Sequence, residues 1–116
     1  MAEVFVFGSN LAGRHGAGSA LAALLKHGAI YGQGTGRQGN AYAIPTKDQR
    51  FWSLPLHTIE VHVSAFKAYA QSHPEDVFNV VAIGCGLAGF KPEHIGPMFI
   101  RSPANVVLPC EFEPYR

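Results

Sequence analysis

A chain of 116 residues, 47% apolar and 15% charged, has enough apolar surface for one buried core and too little length for two. Nine basic against eight acidic residues leave a net charge of +1, which excludes a broad electrostatic surface for nucleic acid or membrane but not a local phosphate pocket. No stretch reaches the ~18 apolar residues of a membrane span. The start, MAEVFVFGSN, carries an acid and no basic signal-peptide segment, and two cysteines are too few for a disulfide framework. The expectation is a soluble cytoplasmic protein.

In chain order, the apolar run over residues 3–7 predicts a short strand, which opens into the glycine-rich loop 8–18. A helix is expected over 16–27, where Ala17, Ala20, Leu21, Leu24 and Leu25 fall on one face. Residues 28–40 hold five glycines without apolar periodicity and read as a loop over the surface or across a site. A brief strand at 41–44 closes at Pro45, and 46–50 is a polar turn. Phe51 and Trp52 read as core anchors, with stacking on a base the other option. Leu56, Ile59, Val63, Phe66 and Ala70 predict a helix over 57–72 that His73-Pro74 ends. A short helix over 91–99 and a strand over 105–108 complete the order. Strands alternating with helices predict an α/β fold, a three-layer α/β/α sandwich around a mixed sheet of about five strands.

One stretch organises this pattern, VFNVVAIGCGLAGF over residues 77–90. Its apolar, β-branched first half reads as a strand buried on both faces. It breaks into Gly84, Cys85, Gly86, Leu87, Ala88 and Gly89, and ligands of open α/β sheets sit outside such strand ends. Two glycine-rich loops, 8–18 and 84–90, thus each follow a strand and precede a helix. Backbone N–H groups in such loops bind phosphate without side-chain charge, and two converging loops suit a diphosphate. Neither loop is a nucleotide fingerprint: there is no G-x-x-x-x-G-K-[ST], and Gly13-x-x-Gly16-x-Gly18 has the wrong spacing for a dinucleotide motif.

Around these loops, Arg14 is either a bidentate phosphate contact or a surface arginine, and His15 is either a proton carrier or a solvated loop histidine. Lys47, at a strand end, is either a solvated turn residue or a charge beside a leaving group. Asn10 is a turn residue, a helix cap or a ligand contact. Cys85 has no assignable base, so its small size is what matters in its loop. The histidines show no ligand spacing with acids or cysteines, and neither a metal nor another cofactor is expected.

FGSNLAGRHGAGSA and AIGCGLAGF together resemble the two ligand loops of macrodomains, the ADP-ribose-binding modules, and YAIPTKD is similar to a segment of the branch that removes ADP-ribose from nucleic-acid bases. The resemblance implies a small macrodomain-like fold and a site for ADP-ribose, an ADP-ribosylated substrate or a related nucleotide diphosphate. The possible activity is hydrolysis of an ADP-ribosyl glycosidic bond; a non-catalytic reader or a structural, partner-binding protein are the other options. It further implies that Asn10 contacts the distal ribose and that Gly16 and Gly18 lie against ribose and diphosphate. Gly84, Cys85, Gly86, Leu87, Ala88 and Gly89 would wrap the diphosphate, and Phe90 would pack on the ribose. Lys47, or His15, would be the catalytic group. Macrodomains also carry an early Asp that binds the adenine amino group; no Asp precedes the first glycine loop here.

Overall fold

The computed structural model describes residues 2–116. Strand β1 (Glu3–Asn10) is followed by α1 (Gly18–Lys26), β2 (Gly36–Gln38), β3 (Ala41–Lys47), α2 (Leu56–Gln71), β4 (Val77–Val80), α3 (Pro92–Ile95) and β5 (Val106–Val107). The strands form one sheet in the order β2-β3-β1-β4-β5, antiparallel between β2 and β3 and parallel elsewhere. This is the α/β fold with a five-stranded mixed sheet that the alternation of elements predicts.

The two-residue period of a strand divides the core. Val4 and Val6 of β1 are fully buried in a cluster with Tyr42 and Ile44 of β3, Phe78 and Val80 of β4, and Ile59, Val63, Phe66 and Ala70 of α2. The intervening Phe5 and Phe7 pack instead with Ala20 and Ala23 of α1 and Ala41 and Ala43 of β3. On the α2 side the ring of Phe66 sits edge-on to Tyr42 and Phe78, at centroid distances of 5.1 and 5.7 Å. Removing a side chain so enclosed costs about 3–5 kcal/mol. Of the five apolar positions of α2 that the spacing singles out, Ile59, Val63, Phe66 and Ala70 are buried, while Leu56, at the first position of the helix, is exposed.

Several expectations need correction. The strand buried on both faces at the middle of the sheet is β1; β4 stops at Val80, and Val77 and Asn79 are half-exposed. Helix α1 buries Ala20 and Ala23, which pack with Phe7 and the small residues Ala41 and Ala43 of β3, and leaves Leu25 71% exposed. Strand β3 runs through Pro45 to Lys47. Pro45 lies beyond the last β2 pairing, at Ala43, so its missing N–H costs no ladder bond on that edge. Phe51 and Trp52 are no core anchors, being 46% and 71% exposed. Residues 28–40 are not an irregular lid, since they contain β2 and a buried Gln38.

The amino ends of the strands are fastened together. Asp76 Oδ1 accepts the Ala2 N–H at 2.9 Å, and Oδ2 lies 3.4 Å from the Arg37 guanidinium. The Ala2 N–H, with a smaller contribution from Arg37, holds the Asp76 carboxyl below the usual carboxylate range. Asn105 Nδ2 donates to the carbonyls of Ala70, His73 and Asp76, tying the end of α2 to β4 and β5.

Two outcomes follow. Because the folded carboxyl titrates below the unfolded one, the Asp76 contribution is fully present at neutral pH and fades as pH falls through the lowered folded value. Urea titrations between neutral and acid pH read this, and Asp76→Asn lowers stability at neutral pH while flattening the acid slope. Asn105→Ala removes the donor shared by the part-buried carbonyls of Ala70, His73 and Asp76 and destabilises by about 1 kcal/mol in the same assay.

Candidate functional site

Parallel pairing on both sides of β1 brings the carboxyl ends of β3, β1 and β4 to one edge of the sheet. A cleft of about 580 Å³ opens there. Its floor is the end of β1, Gly8 to Asn10; one wall is Arg14, Gly16 and the first turn of α1, and the other is the segment 81–88. Thr46, Lys47 and Phe51 close the third side.

The first wall presents an uncapped helix. Ala17, at the N-cap, makes no side-chain capping bond, and Leu21 N–H is the first to reach back, to Ala17 O. The amides of Gly18, Ser19 and Ala20 are therefore left for a ligand or solvent, at the positive end of the helix dipole. The opposite wall is fastened from within. Cys85 N–H donates to Ala82 O, Gly89 N–H to Gly86 O and Phe90 N–H to Gly84 O. Gly86, Leu87 and Ala88, all on the cleft, have amides with no acceptor among the described residues. Arg14 and Lys47 are the ionisable side chains of the lining, which holds no carboxylate and no histidine among the described residues. Both walls and both charges favour an anion.

The glycines fall into two kinds. A Cβ at Gly34 would overlap Asn10 O, and one at Gly13, with φ +70°, would overlap the backbone of Gly32 and Gln33. These close approaches lock segment 28–40 against the first glycine loop, with Gly32 N–H donating to Gly13 O and the Ser9 hydroxyl to Gly34 O. That segment buttresses the loop from behind and lines none of the cleft. Gly16 and Gly86 differ. Each has an ordinary φ, and a Cβ there would meet nothing within 4 Å. Neither is required by the fold, and both border the cleft.

The expected site residues separate accordingly. Asn10, Gly16, Gly18, Lys47, Gly84, Gly86, Leu87 and Ala88 come together around the cleft. Asn10 also pins its loop, its amide donating to Arg14 O and accepting from Arg14 N–H, both at 3.0 Å. A shift in register between Ser9 and Asn10 sets Asn10 beside Lys47, whose side chain makes no hydrogen bond or ion pair among the described residues.

Gly89, Cys85 and Phe90 do not line the cleft. Cys85 and Phe90 pack against the α2-side core. Burial, with the Glu111 charge adding to it, pushes the Cys85 thiol up, away from the reactive thiolate. His15 is neither solvated nor on the cleft. It is fully buried, edge-on to Phe7 at 5.2 Å, with Nε2 facing the carbonyl of Gln33 at 3.0 Å and Gln38 Oε1 at 3.2 Å. Both partners are acceptors, so the proton sits on Nε2 and the ring serves as a strut within the buttress.

Phe51 on the cleft wall was missed as a site residue, although base stacking was legible as the other option for the aromatic pair. Among the described residues no three His, Cys, Asp or Glu side chains meet as a metal site would need, and no helix is long and apolar enough to cross a membrane. Comparison with protein-family profiles, curated proteins and solved structures finds no match to this chain.

The two kinds of glycine predict opposite responses. Gly16→Ala and Gly86→Ala hold or slightly raise the thermal midpoint, by up to about 1 kcal/mol of stability, since they only restrict the unfolded chain. Gly34→Ala displaces backbone from backbone and costs about 2 kcal/mol or more. Thermal unfolding of the three variants beside the wild type checks both directions.

Proposed function

We propose that the cleft binds ADP-ribose or a related nucleoside diphosphate, with the diphosphate held between the first turn of α1 and the amides of residues 86–88. The observation that carries this reading is the pair Gly16 and Gly86, glycines that face open space across a cleft whose walls present unpaired N–H groups. Omitting both side chains there serves a ligand that must approach the backbone closely. Arg14 and Lys47 supply charge without an acidic neighbour in the lining. The chain is then a reduced macrodomain, and its fold a three-layer α/β/α sandwich. The separate packing of α1 with Phe5 and Phe7, and of α2 with Val4 and Val6, supports that layering.

Lys47 is the group that would act on a glycosidic bond. It stands at the carboxyl end of β3 beside Asn10, where the sugar beyond the diphosphate would lie. There its cationic amine offsets negative charge on a departing group while water adds to the sugar carbon. The lining has no carboxylate or histidine to activate that water, an observation that favours a second reading, a binding module that holds ADP-ribose without cleaving it.

Calorimetric titration with ADP-ribose tests the site, and the expected dissociation constant is roughly micromolar. Gly86→Val abolishes the heat while keeping the thermal midpoint within about 2 °C, because Gly86 borders the cleft and a Cβ there meets nothing within 4 Å. Retained binding by that variant removes the loop from the site. For hydrolysis of an ADP-ribosylated substrate, Lys47→Ala lowers the rate at least about tenfold with binding kept. A wild type that binds and never cleaves establishes the binding module.

A further inference from the structure

The side of the cleft that bears Phe51 is not explained by phosphate chemistry. Residues 48–52 form a tight turn held at every step. Asp48 N–H donates to Trp52 O at 2.8 Å, Phe51 N–H donates to Asp48 O, and Asp48 Oδ1 accepts from the amides of Arg50 and Trp52. A bridge between Lys47 and Ser53 closes its base, and the Ser53 hydroxyl donates to Ala88 O at 2.7 Å, fixing the turn to the opposite wall. In this turn Phe51 has φ +67°, the left-handed region that disfavours any residue with a Cβ.

Phe51 thus carries two costs. Its backbone is strained where glycine would be relaxed, and nearly half of its surface is exposed. It belongs to neither core cluster. Phe51 borders the cleft, and the Arg14 guanidinium carbon lies over its ring, 5.9 Å from the centroid. Strain held at a rigid position on a cleft wall is the pattern of a residue kept for a ligand.

We infer that Phe51 is a stacking platform, with Arg14 as its cationic partner, for a planar aromatic ring carried by the ligand. The cleft therefore selects phosphorylated compounds that bear such a ring, a nucleobase for instance, over sugar phosphates that lack one. The turn presents the phenyl face at a fixed place, and a π-face accepts any base without reading its edge. The guanidinium, over the ring, adds cation–π attraction and borders the same cleft, where it can meet a phosphate. This inference rests on the phosphate-binding reading of the same cleft and adds the ligand's second feature.

The test titrates wild type, Phe51→Gly and Phe51→Tyr with ADP-ribose and with ribose 5-phosphate, and records each thermal midpoint. Glycine relieves the left-handed strain, so Phe51→Gly should unfold at or above the wild-type temperature. Its affinity for ADP-ribose should fall about tenfold or more, with ribose 5-phosphate binding unchanged and Phe51→Tyr close to wild type. Undiminished ADP-ribose affinity in Phe51→Gly overturns the platform, as does a wild type that binds ribose 5-phosphate as tightly as ADP-ribose. A lowered midpoint with both ligands weakened equally also overturns it, making Phe51 a structural residue. A wild type that binds neither compound overturns the phosphate cleft itself, and the platform with it.

Discussion

Everything in this molecule depends on β1 being hydrogen-bonded on both edges to strands that run its own way. Six residues pair with β3 and four with β4, so three carboxyl ends arrive at the same edge of the sheet. Parallel strands need crossovers, and a strand apolar on both faces from Val4 to Phe7 needs cover on both sides. Helix α1 answers to Phe5 and Phe7, and α2 to Val4 and Val6. The amino ends are fastened by Asp76 and its partners, while at the carboxyl ends the chain departs in three loops that enclose space. The cleft follows from the topology before any side chain is considered.

The space stays open because the loops are stiff. Loop 8–16 is held from behind by segment 28–40, through backbone contacts that tolerate no Cβ at Gly13 or Gly34, with the buried His15 and Gln38 filling the interval. Loop 84–90 is held by its own internal hydrogen bonds and by Ser53. Two walls fastened in this way keep N–H groups on the cleft without an acceptor among the described residues. An anion there gains partners without an ordering cost in the protein, which is what preorganisation supplies to binding.

How far the sequence discloses this is uneven, for physical reasons. Helix α2 is legible because its apolar spacing is strict and its neighbours are large. Both glycine loops are legible because a run of β-branched or aromatic residues ending in glycine has few structural meanings. The centre of the sheet is not: the run from Val77 to Ile83 is more apolar than β1, yet only its first four residues pair as a strand, and the rest descends into the cleft wall. Segment 28–40 reads as a loop over the surface or across a site because glycine density signals loops but not what lies beneath them. Close backbone packing, its actual cause, leaves no periodic trace. His15 looks solvated between Arg14 and Gly16, since no local rule reports a buried partner eighteen residues away.

Phe51 and Trp52 show the limit most clearly. Two aromatic residues beside each other are read as anchors because burying large rings is the strongest general force in folding. Here the turn chemistry overrides it. Asp48 takes two amides with one carboxylate oxygen and commits the next residues to a tight reversal, which turns Phe51 out of reach of either core. Folding alone would favour glycine at that φ and a polar residue at that exposure. A residue that meets neither preference, on a wall of the same cleft whose other walls lack side chains at Gly16 and Gly86, makes one consistent pattern. On the proposed reading of the cleft, the fold withholds bulk where backbone would approach the ligand and spends it where a flat surface would stack on it. Local rules fail at both kinds of position, and such failures gather where sequence answers to a ligand.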